Sequence, residues 1–596
     1  MAEGGARVGA GAIRTMGLLV FSFVVKTVAF AGDLSSSSNM VVAVAATSEA
    51  TAEESSEPVR RLPSGKTRPS EPELAELERS DFLPIKDRWR IGYTGRWWDP
   101  YNQNVLKGDY PIFGQRTFFV FTGVSDTLFE ARNLPTPQGV SRAFPGSNGE
   151  FFGRDRQLFL NQNFIASFDV FQGSTAFRPK DWEVRFTPVF NVNFINVREN
   201  GIVNIDVREG TSRTDHQIAL QEAFVEARLI DVSRHFDFAS VRAGIQGFTS
   251  DFRGFIFSDN QPGIKFFGNF DSNRYQWNVA YFNTLEKDTN SGLNTLQSRH
   301  QQVVIANLYR QDFIWLGYTA QLSFHYNLDQ AGSQDDGGQH YDTNGFLVRP
   351  AVIGTVRPHD LHAYYLGWTG DGHIGRLNLT HAFYQVLGAD DFNQIANRRV
   401  SINAQMAAAE FSYDIDWLRP KLSVFYGSGD SDPRDGTGRG FDSIIDNVNF
   451  AGAGFSFFNR QAIRLTQTGV NIVNRFSLLA DLRSAKDEGQ ANFVNPGLFL
   501  VGPGLDADLT PKLKALLNVN ILWFVSTEPL TLILQQPGIR HYVGEDYSLG
   551  FIYRPFLNNN VITSAGVAVF HPGSGFKDIQ VAELLYSTFL SVTLTF

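Results

Sequence analysis

Apolar and polar residues alternate along much of this chain. In Trp182–Val197 (WEVRFTPVFNVNFINV), every second position is mostly aromatic or aliphatic, and most positions between them are charged or carry amides or hydroxyls. The same pattern recurs in Leu158–Phe171, Tyr318–Asn327 and Leu513–Trp523. Successive side chains of a β-strand point to opposite faces, so a period of two predicts strands with one apolar and one polar face.

The alternating segments are long. A strand of a soluble protein usually has ~5–6 residues, whereas a tilted strand that crosses a membrane needs ~9–11. Leu158–Phe171 and Trp182–Val197 both keep the alternation beyond that length. After residue 31, no apolar run approaches the ~18 residues of a membrane-spanning helix. Because lipid cannot satisfy the free backbone groups of an open sheet, the pattern predicts a closed transmembrane β-barrel.

Turn-rich segments separate the predicted strands, as in Gln172–Asp181, Asn327–Asn344 and Gly427–Asp446. A mixture of short and long connections is typical of the two unequal ends of an outer-membrane barrel. If a strand and its connection use roughly 25–30 residues and the strand number is even, the barrel has 16–20 strands. We therefore predict an all-β fold, a single large antiparallel transmembrane β-barrel of about 18 strands over residues 117–596.

The N-terminus predicts export. Two arginines precede the short apolar core Met16–Val25, and Ala29-Phe30-Ala31 has the small-x-small form of a cleavage site. Residues 1–31 are therefore a predicted signal peptide, and a second site of this form, Ala43-Val44-Ala45, offers an alternative cleavage near residue 45.

Two further segments precede the predicted barrel. Residues 47–80 are almost all Ser, Glu, Pro, Arg and Thr, so they cannot bury an apolar core, and we expect residues 32–86 to form a disordered periplasmic tether. Residues 87–116 contain Trp97, Trp98 and Tyr101 and are too irregular for a strand. We expect this pre-barrel segment to lie at the periplasmic mouth.

Composition narrows the classes of function. The 596-residue chain contains no cysteine, which excludes a disulfide framework and a thiolate metal site. Its net charge of -9 argues against a nucleic-acid partner, which needs a basic face. The 53 phenylalanines and 54 glycines, against 4 methionines, favour twisted strands and tight turns over packed helices.

Two resemblances to known proteins come from short segments. Leu584–Phe596 is amphipathic with a period of two and ends in Phe596, and it is similar to the insertion signal that the barrel-assembly machinery recognises in outer-membrane barrels. Four other segments resemble alginate-export-type porins: Gln221–Leu229 (QEAFVEARL), Val241–Phe248 (VRAGIQGF), Tyr426–Phe441 (YGSGDSDPRDGTGRGF) and Asn495–Leu500 (NPGLFL). That resemblance implies a monomeric barrel that passes an anionic polysaccharide through a positively lined lumen.

The polar faces of the strands are expected to line the lumen. The charged residues that this predicts to be pore-lining are Glu183, Arg185, Glu222, Glu226, Arg228, Arg242, Lys265, Arg376, Lys512 and Lys514. Acids and bases are mixed among them, and charged rings of this kind set ion preference. The alternative is that they only solvate the wall or pair with one another, and a register slip of one residue would reverse the faces.

Other candidate sites are weaker. Asp430, Asp432 and Asp435 surround one turn, where carboxylates could hold a structural Ca²⁺, but the closing glutamate of an EF-hand is missing and a solvated acidic loop is the alternative. Ser323 and His325 share a strand face without a third orienting group, so we predict no enzymatic activity. No other metal or cofactor is expected.

These patterns together predict an outer-membrane porin for small hydrophilic or anionic solutes, including saccharides. The expected partners are outer-membrane lipid or lipopolysaccharide, the barrel-assembly machinery and the solutes, and no nucleic acid is expected. Two alternatives remain open: a barrel sheath or scaffold that encloses a partner protein, and a secreted soluble β-protein that binds carbohydrate. A partner that copurifies would favour the first, and solubility without detergent would favour the second.

Overall fold

The computed structural model describes residues 106–596 apart from several gaps. These gaps are 109–110, 115, 135, 138–151, 154–155, 174–178, 234–236, 289, 331–339, 342–346, 349–358, 462–489 and 580–583. The predicted signal peptide, the tether and most of the pre-barrel segment lie outside the described residues. Next to the first strand, the Phe121 N–H donates to the Leu106 carbonyl at 2.7 Å, and Lys107 forms an isolated bridge with Val120.

Eighteen long antiparallel strands form the wall. They are β1 (Thr117–Asn133), β2 (Arg156–Gln172), β3 (Trp182–Val197), β4 (Ser212–Asp231), β5 (Phe238–Thr249), β6 (Ser258–Phe270), β7 (Tyr275–Lys287), β8 (Asn294–Arg310), β9 (Tyr318–Gln330), β10 (Asp360–Ile374), β11 (Leu377–Asn393), β12 (Arg398–Tyr413), β13 (Leu418–Gly427), β14 (Leu498–Thr510), β15 (Leu513–Trp523), β16 (Tyr542–Tyr553), β17 (Val561–Pro572) and β18 (Leu585–Thr595). Each strand pairs with the next, and β1 pairs with both β2 and β18, which closes the barrel. The predicted closed barrel of 18 strands is confirmed.

Smaller elements lie in the connections. The short helices are α1 (Phe457–Gln461), α2 (Glu528–Leu534) and α3 (Ser574–Ile579), with 3-10 turns at Val207–Glu209 and Ala453–Phe455. The two-residue strands are Thr136–Pro137 with Phe152–Gly153, His340–Tyr341 with Leu347–Val348, and Thr437–Gly438, which pairs in parallel with β12. No helix in the described part of the chain is long and apolar enough to cross a membrane.

The connections alternate between two ends of the barrel. At one end they are short, as at 271–274, 375–376 and 511–512, and this turn end also holds the start of β1 and the C-terminus. At the other end, the loop end, they include the long connections 331–359 and 428–497. In bacterial outer-membrane barrels the short turns face the periplasm and the long loops face outward.

The outward face of the wall is apolar. On β3, for example, Val184, Phe186 and Phe190 point outward and are exposed, while Glu183 and Asn191 point inward and are buried. Exposed apolar residues of this kind recur around the barrel: Phe164, Phe168, Ile264, Phe266, Val279, Tyr281, Leu322, Leu366, Trp368, Phe383, Leu422, Leu517, Leu549 and Val567. An apolar belt of this extent is unsuited to water and matches the lipid-facing band of a membrane barrel.

Aromatic residues mark both edges of the belt. They follow the outward parity at the strand ends, with Trp182, Tyr275 and Tyr553 toward the turn end and Tyr326, Trp523 and Tyr586 toward the loop end. Rings with a polar atom favour the two membrane–water interfaces, so the two sets suit the girdles of a membrane barrel.

The interior is packed with apolar side chains over much of its extent. The connection 428–497 turns inward after β13, and we call its described residues, 428–461 and 490–497, the inner segment. Its buried apolar residues are Ile444, Ile445, Val448, Phe450, Ala451, Phe457, Phe458, Ala491, Phe493 and Val494. Most of them form one cluster with inward residues of β10–β12, namely Leu361, Ala363, Tyr365, Tyr384, Val386, Ile402, Ala404 and Met406. The expectation that inward faces are polar is wrong there, because these faces contact the inner segment instead of water.

A buried charged network attaches the inner segment to β1 and β18. Glu130 Oε2 lies 3.1 Å from Arg460 Nη2, and the Ser587 hydroxyl donates to Glu130 Oε1 at 2.8 Å. Arg132 Nη1 donates to Gln461 Oε1 at 2.8 Å. The side chains of Glu130 and Arg132 are fully buried, so these contacts replace the water that both charges lose.

A second attachment lies on β15 and β16. The Asp546 carboxylate accepts from the backbone N–H groups of Phe457 at 3.0 Å and Phe458 at 3.2 Å. The side-chain amides of Asn518 and Asn520 donate to the Ala451 carbonyl at 3.1 Å and 2.9 Å. The inner segment is therefore fixed at two places on the wall.

Candidate functional site

Charged side chains cluster on the inner face of β2–β6, in the half nearer the turn end. The cluster consists of Asp169, Lys180, Glu183, Arg185, Glu222, Glu226, Arg242 and Lys265. Lys180 comes from the turn before β3, and the others lie on the strands. We call these residues the charged wall. It combines acids and bases, as the sequence predicted for the lumen.

Arg185 is the centre of the charged wall. The β2–β3 register places Asp169 opposite Arg185, and Arg185 Nη2 lies 3.0 Å from Asp169 Oδ2 and 2.8 Å from Glu183 Oε1. Lys180 Nζ lies 2.9 Å from Glu183 Oε2. The side chains of Arg185 and Lys180 keep 26% and 25% of their surface exposed. These ion pairs therefore border water inside the barrel.

The positions of Glu222 and Glu226 depend on a β-bulge in β4. Opposite Thr187 and Pro188 of β3, the register advances from Glu222 to Leu220 and leaves Gln221 as an extra residue. A bulge suits this place because proline cannot donate a ladder hydrogen bond. Beyond the bulge, Glu222 and Glu226 are buried on the inward face. The extra residue thus sets which face these two carboxylates occupy.

Arg242 and Lys265 face each other across β5 and β6. Arg242 Nε donates to Glu226 Oε2 at 2.7 Å, and its guanidinium lies 4.2 Å from the centre of the Phe224 ring. Lys265 has no carboxylate partner among the described residues, and its Nζ lies 4.7 Å from the centre of the Phe267 ring. Lys265 is the one base of the charged wall without an ion pair to a described residue.

A smaller cluster lies on the inner face of β13–β15. Lys421 Nζ is 2.6 Å from Asp506 Oδ1, and Lys514 Nζ is 3.2 Å from Asp506 Oδ2. Two bases thus share one carboxylate, and the Lys514 side chain is 34% exposed. This cluster adds a second inward site with excess positive charge.

The connection 250–257 crosses the lumen between these clusters. It leaves β5, and Arg253 Nη2 reaches the opposite wall, 2.9 Å from both Glu410 Oε1 on β12 and Thr380 Oγ1 on β11. The Asp251 carboxylate accepts from the backbone N–H groups of Phe255 at 3.1 Å and Ile256 at 3.2 Å, which holds the turn.

The same connection is bonded to the inner segment. The Asn447 N–H donates to the Gly254 carbonyl at 3.0 Å, and the Ser258 N–H donates to the Ile445 carbonyl at 2.8 Å. Residues 250–257 and 444–449 therefore form one bar across the barrel, which we call the crossbar. It occupies part of the lumen.

Replacing Arg253 with alanine is expected to raise the open-channel current noise and the mean conductance, because the crossbar loses its contact with β11 and β12. Glu410→Ala should have the same effect, since it removes the other partner. Single-channel recording in planar bilayers measures both quantities. Arg274→Ala is the matched control, because Arg274 lies in an exposed turn and its Nη1 is 3.7 Å from Asp271. Equal noise in all three variants would contradict the role of this ion pair.

Three predicted pore-lining residues lie at the turn end. Arg228 is the last inward-facing residue of β4, and it forms ion pairs with Asp181 and Asp231. Arg376 and Lys512 lie in the turns before β11 and β15, and both are exposed. Their predicted placement on strands is wrong, because the hairpins reverse at these residues. For Arg228 and the predicted residues on the strands, a pore-lining role stays a prediction.

Phe596 ends the chain beside β1. Its N–H donates to the Gly123 carbonyl at 2.8 Å, and Lys107 Nζ lies 4.8 Å from the centre of its ring. On β18, Tyr586 and Leu594 face outward as the sequence pattern predicted. The role of Phe596 as an insertion signal stays a prediction.

The predicted calcium turn is held by contacts within the protein. The Asp432 N–H donates to Asp430 Oδ1 at 3.1 Å, and Arg439 Nη2 donates to Asp435 Oδ2 at 2.6 Å. The hydrogen bond from Arg439 lowers the pKa of Asp435 below its ordinary value. Across the described ranges, no group of three or more acidic or histidine side chains is arranged to hold a metal ion. Structural Ca²⁺ stays a prediction that this geometry does not support.

The burial of Asp430 leads us to expect that the free energy of unfolding depends on pH. Its side chain is fully buried, and the loss of hydration raises the pKa of its carboxyl from 3.8 to about 6. The folded state therefore favours the protonated form. The contribution of protonated Asp430 to the free energy of unfolding is fully present below about pH 4, and it is lost as the pH rises through 6. Asp430→Asn should exceed the wild type in stability by about 2–3 kcal/mol at pH 8 and match it at pH 4.

Urea unfolding in lipid vesicles at the two pH values measures this difference. Asp432→Asn serves as the control, because Asp432 is exposed in the same turn. A constant difference between Asp430→Asn and the wild type across this pH range would refute the assignment.

Ser323 and His325 are buried in the wall. Ser323 Oγ lies 3.3 Å from His325 Nδ1 and donates to Asn307 Oδ1 at 2.7 Å. The Ser323 hydroxyl therefore donates its hydrogen to the amide oxygen of Asn307 and not to His325. The absence of enzymatic activity stays a prediction.

Comparisons with known proteins show similarity to this chain only in the fold. No protein-family model matches the sequence, and no curated protein matches it. The structure is similar to Acinetobacter baumannii OccAB1, with 10% identity, a TM-score of 0.44 and coverage of 80% of this chain and 96% of that chain. A BenF-like porin from Pseudomonas fluorescens Pf-5 has 10% identity and a TM-score of 0.43, covering 80% of this chain and 98% of that chain.

Pseudomonas aeruginosa OccK7 (OpdD) gives the same identity, TM-score and coverage as the BenF-like porin. Similarity at this identity and TM-score carries no functional argument. The closed barrel therefore rests on the strand pairing of this chain, and the resemblance to alginate-export-type porins stays a prediction.

Proposed function

We propose that this protein is an outer-membrane channel for small hydrophilic solutes, with a preference for anions. The observation that carries the proposal is a charged, partly exposed inner wall within a closed barrel whose outer face is apolar. An apolar outer face suits lipid, and a charged inner face suits water and dissolved solutes. A soluble protein needs the opposite distribution.

The preference for anions follows from the second inward cluster, in which the bases outnumber the carboxylates. Most charges of the charged wall are matched, as Arg185 is by Asp169 and Glu183. Lys265 Nζ lies near two phenylalanine rings and has no ion pair to a described residue, and two lysines share Asp506. Charged rings in a narrow, partly desolvated passage set ion preference. The charged wall itself holds four bases and four acids, so the surplus positive charge that favours anionic solutes lies with Lys421 and Lys514 around Asp506.

The passage is expected to be narrow. The inner segment packs against β10–β12, and the crossbar joins β5 and β6 to β11 and β12. Both occupy space that an open barrel would leave to water. We therefore expect small solutes to pass beside the charged wall and larger oligosaccharides to be excluded.

The two alternative functions have less support. A sheath around a partner protein needs an empty lumen, whereas here the chain's own inner segment fills much of the interior. A secreted soluble β-protein would not expose a belt that includes Phe164, Phe186 and Trp368.

Liposome swelling tests the proposal. Proteoliposomes should admit small carboxylates faster than neutral solutes of equal size, and a tetrasaccharide should be excluded. Heat-modifiable migration in a detergent gel confirms that the barrel is folded in the same sample. Folded, inserted barrels that admit none of these solutes would contradict the proposed channel, and entry of the tetrasaccharide would contradict the narrow passage.

A further inference from the structure

The hydrogen-bonded wall is interrupted between β4 and β7. β5 pairs with β4 only over Phe238–Ile245, and β6 pairs with β7 only over Gly263–Phe270. Past these points, toward the loop end, β5 and β6 pair only with each other and lead into the crossbar. Because a strand needs ~9–11 residues to cross a membrane, the paired wall beside this hairpin ends inside the apolar belt. We call the space between residues 214–221 of β4 and 246–249 of β5 the notch.

Three sequence features lie together where β5 leaves β4. Gly244 has a φ of 127°, and a Cβ added there would lie 2.1 Å from the Ala223 carbonyl oxygen. Opposite Ile245, β6 carries Pro262, which cannot donate a ladder hydrogen bond. The bulge at Gln221 lies on the β4 side of the same place. A glycine, a proline and a bulge therefore end the pairing at this height.

The other borders of the notch are closed. On the β7 side, the Leu285 N–H donates to Gln261 Oε1 at 2.7 Å, so a side chain replaces the missing backbone pairing. At the loop end, the side chain of Asn290 in the β7–β8 turn donates to Asp215 of β4, and β8 approaches β4 there. The notch is therefore a break with β4 on one side and the inward-turning hairpin on the other.

The β4 side of the notch has no such closure. In the described structure, no hydrogen bond joins residues 214–221 of β4 to residues 246–249 of β5. Ile218 points outward at this edge and is 73% exposed. Gln221 Nε2 is buried, and no described residue is its hydrogen-bond partner. The edge thus combines an apolar outer border with a buried amide donor.

The charged wall lies next to the notch on the side nearer the turn end. Arg242 is two residues before Gly244 on β5, and Lys265 is two residues after Gly263 on β6. Outside the notch is the apolar belt, which faces lipid. A molecule in the notch would therefore meet polar and charged side chains at one end and lipid at the other.

We propose that the notch is a lateral opening through which single-chain amphiphiles pass between the outer leaflet and the lumen. The head group accepts a hydrogen bond from the Gln221 amide, and the tail stays in lipid beside Ile218. The unpaired backbone groups of β4 contact the head group or water from the lumen, since lipid cannot satisfy them. The inference rests on the outer-membrane channel of the proposed function and adds a route and a class of solute.

An extended peptide suits the notch less well. A free strand edge is a template for another strand. A single added strand would leave its own second edge unpaired in lipid, which is costly. The contact between Asn290 and Asp215 also closes the notch at the loop end, where a peptide from outside would enter. A small amphiphile meets neither obstacle.

Entry of radiolabelled decanesulfonate into proteoliposomes tests the opening, with ethanesulfonate as the same head group without the long tail. A sulfonate stays charged and crosses bare lipid slowly, and protein-free vesicles give the background. The chain has no cysteine, so Ile218→Cys can be labelled at one place with a bulky maleimide. The label should lower decanesulfonate entry about fivefold or more, because it narrows the opening, and leave ethanesulfonate entry unchanged.

Val225→Cys with the same label is the matched control. Val225 is 53% exposed on the outward face of β4, at a position where β5 is paired. The label there should leave the entry of both sulfonates at the wild-type rate.

The outcomes separate this inference from the proposed channel. Equal decanesulfonate entry with and without the label on Ile218→Cys would overturn the lateral opening. Entry of ethanesulfonate alone into wild-type vesicles would also overturn it and leave the proposed channel standing. Entry of decanesulfonate alone would contradict the proposed channel and leave the lateral opening standing.

Discussion

Replacing Glu130 with alanine is expected to lower the free energy of unfolding by about 3–5 kcal/mol. Glu130 is fully buried, and its carboxylate faces Arg460 at 3.1 Å and Arg132 at 3.8 Å. Its removal leaves two buried guanidinium groups without their carboxylate. The inner segment also loses its ion pair with β1 and keeps only the hydrogen bond from Arg132 to Gln461 among the contacts described above. Urea unfolding in lipid vesicles, followed by tryptophan fluorescence, measures the change.

A double variant separates the charge effect from a general defect. Glu130→Leu/Arg460→Leu removes both partners, and a buried ion pair replaced by apolar residues is often neutral or stabilising. It should therefore recover part of the loss seen in Glu130→Ala. Glu209→Ala in the exposed 3-10 turn is the matched control. A Glu130→Ala protein within about 0.5 kcal/mol of the wild type would contradict the attachment role.

Reversing two charges of the charged wall is expected to reverse the ion selectivity. Arg242→Glu/Lys265→Glu removes two inward bases and adds two carboxylates beside Glu226. The passage should then prefer cations, and the reversal potential in a potassium chloride gradient should change sign. The change should be larger at low ionic strength, because salt screens the charges.

Arg376→Glu/Lys512→Glu is the control with the same change of charge. These residues lie in exposed turns outside the charged wall, so the shift of the reversal potential should be much smaller. Equal shifts in the two double variants would mean that selectivity depends on total charge and not on the wall.

The faces of the strands could be predicted well from the sequence. Alternation fixes which side chains share a face, and the predicted faces of β2, β3, β9, β15 and β18 agree with the structure. The pattern was reliable there because one face meets an apolar surrounding and the other is polar. Strand length and the even strand number then determined the barrel.

The inner segment could not be predicted from the same rule. Polar inward faces are expected only where water fills the lumen, and β10–β12 instead face apolar residues of the same chain. A signal was present, since β12 contains Met406 and alanines on both faces. Residues 444–458 also carry four phenylalanines within a turn-rich stretch, which is unusual for a solvated loop. Whether an inward face is polar or apolar there depends on packing against a distant segment of the chain, and the periodicity of the strand does not predict that packing.

The charged wall was predicted in part. The strand residues from Glu183 to Lys265 were found because they lie on polar faces, whereas Asp169 and Lys180 were missed as members of the cluster. The bulge at Gln221 changes the inward parity of β4, and only Pro188 in the facing strand hinted at it. Arg376 and Lys512 were misplaced, since alternation continues into hairpins and hides the position of a tight turn.

Single-channel recording of the wild-type protein in planar bilayers tests the central claim most directly. The account predicts discrete, small conductance steps and a reversal potential that shows a preference for anions in a salt gradient. A folded, heat-modifiable barrel that inserts and stays silent would contradict it, because the inner segment and crossbar would then close the barrel completely.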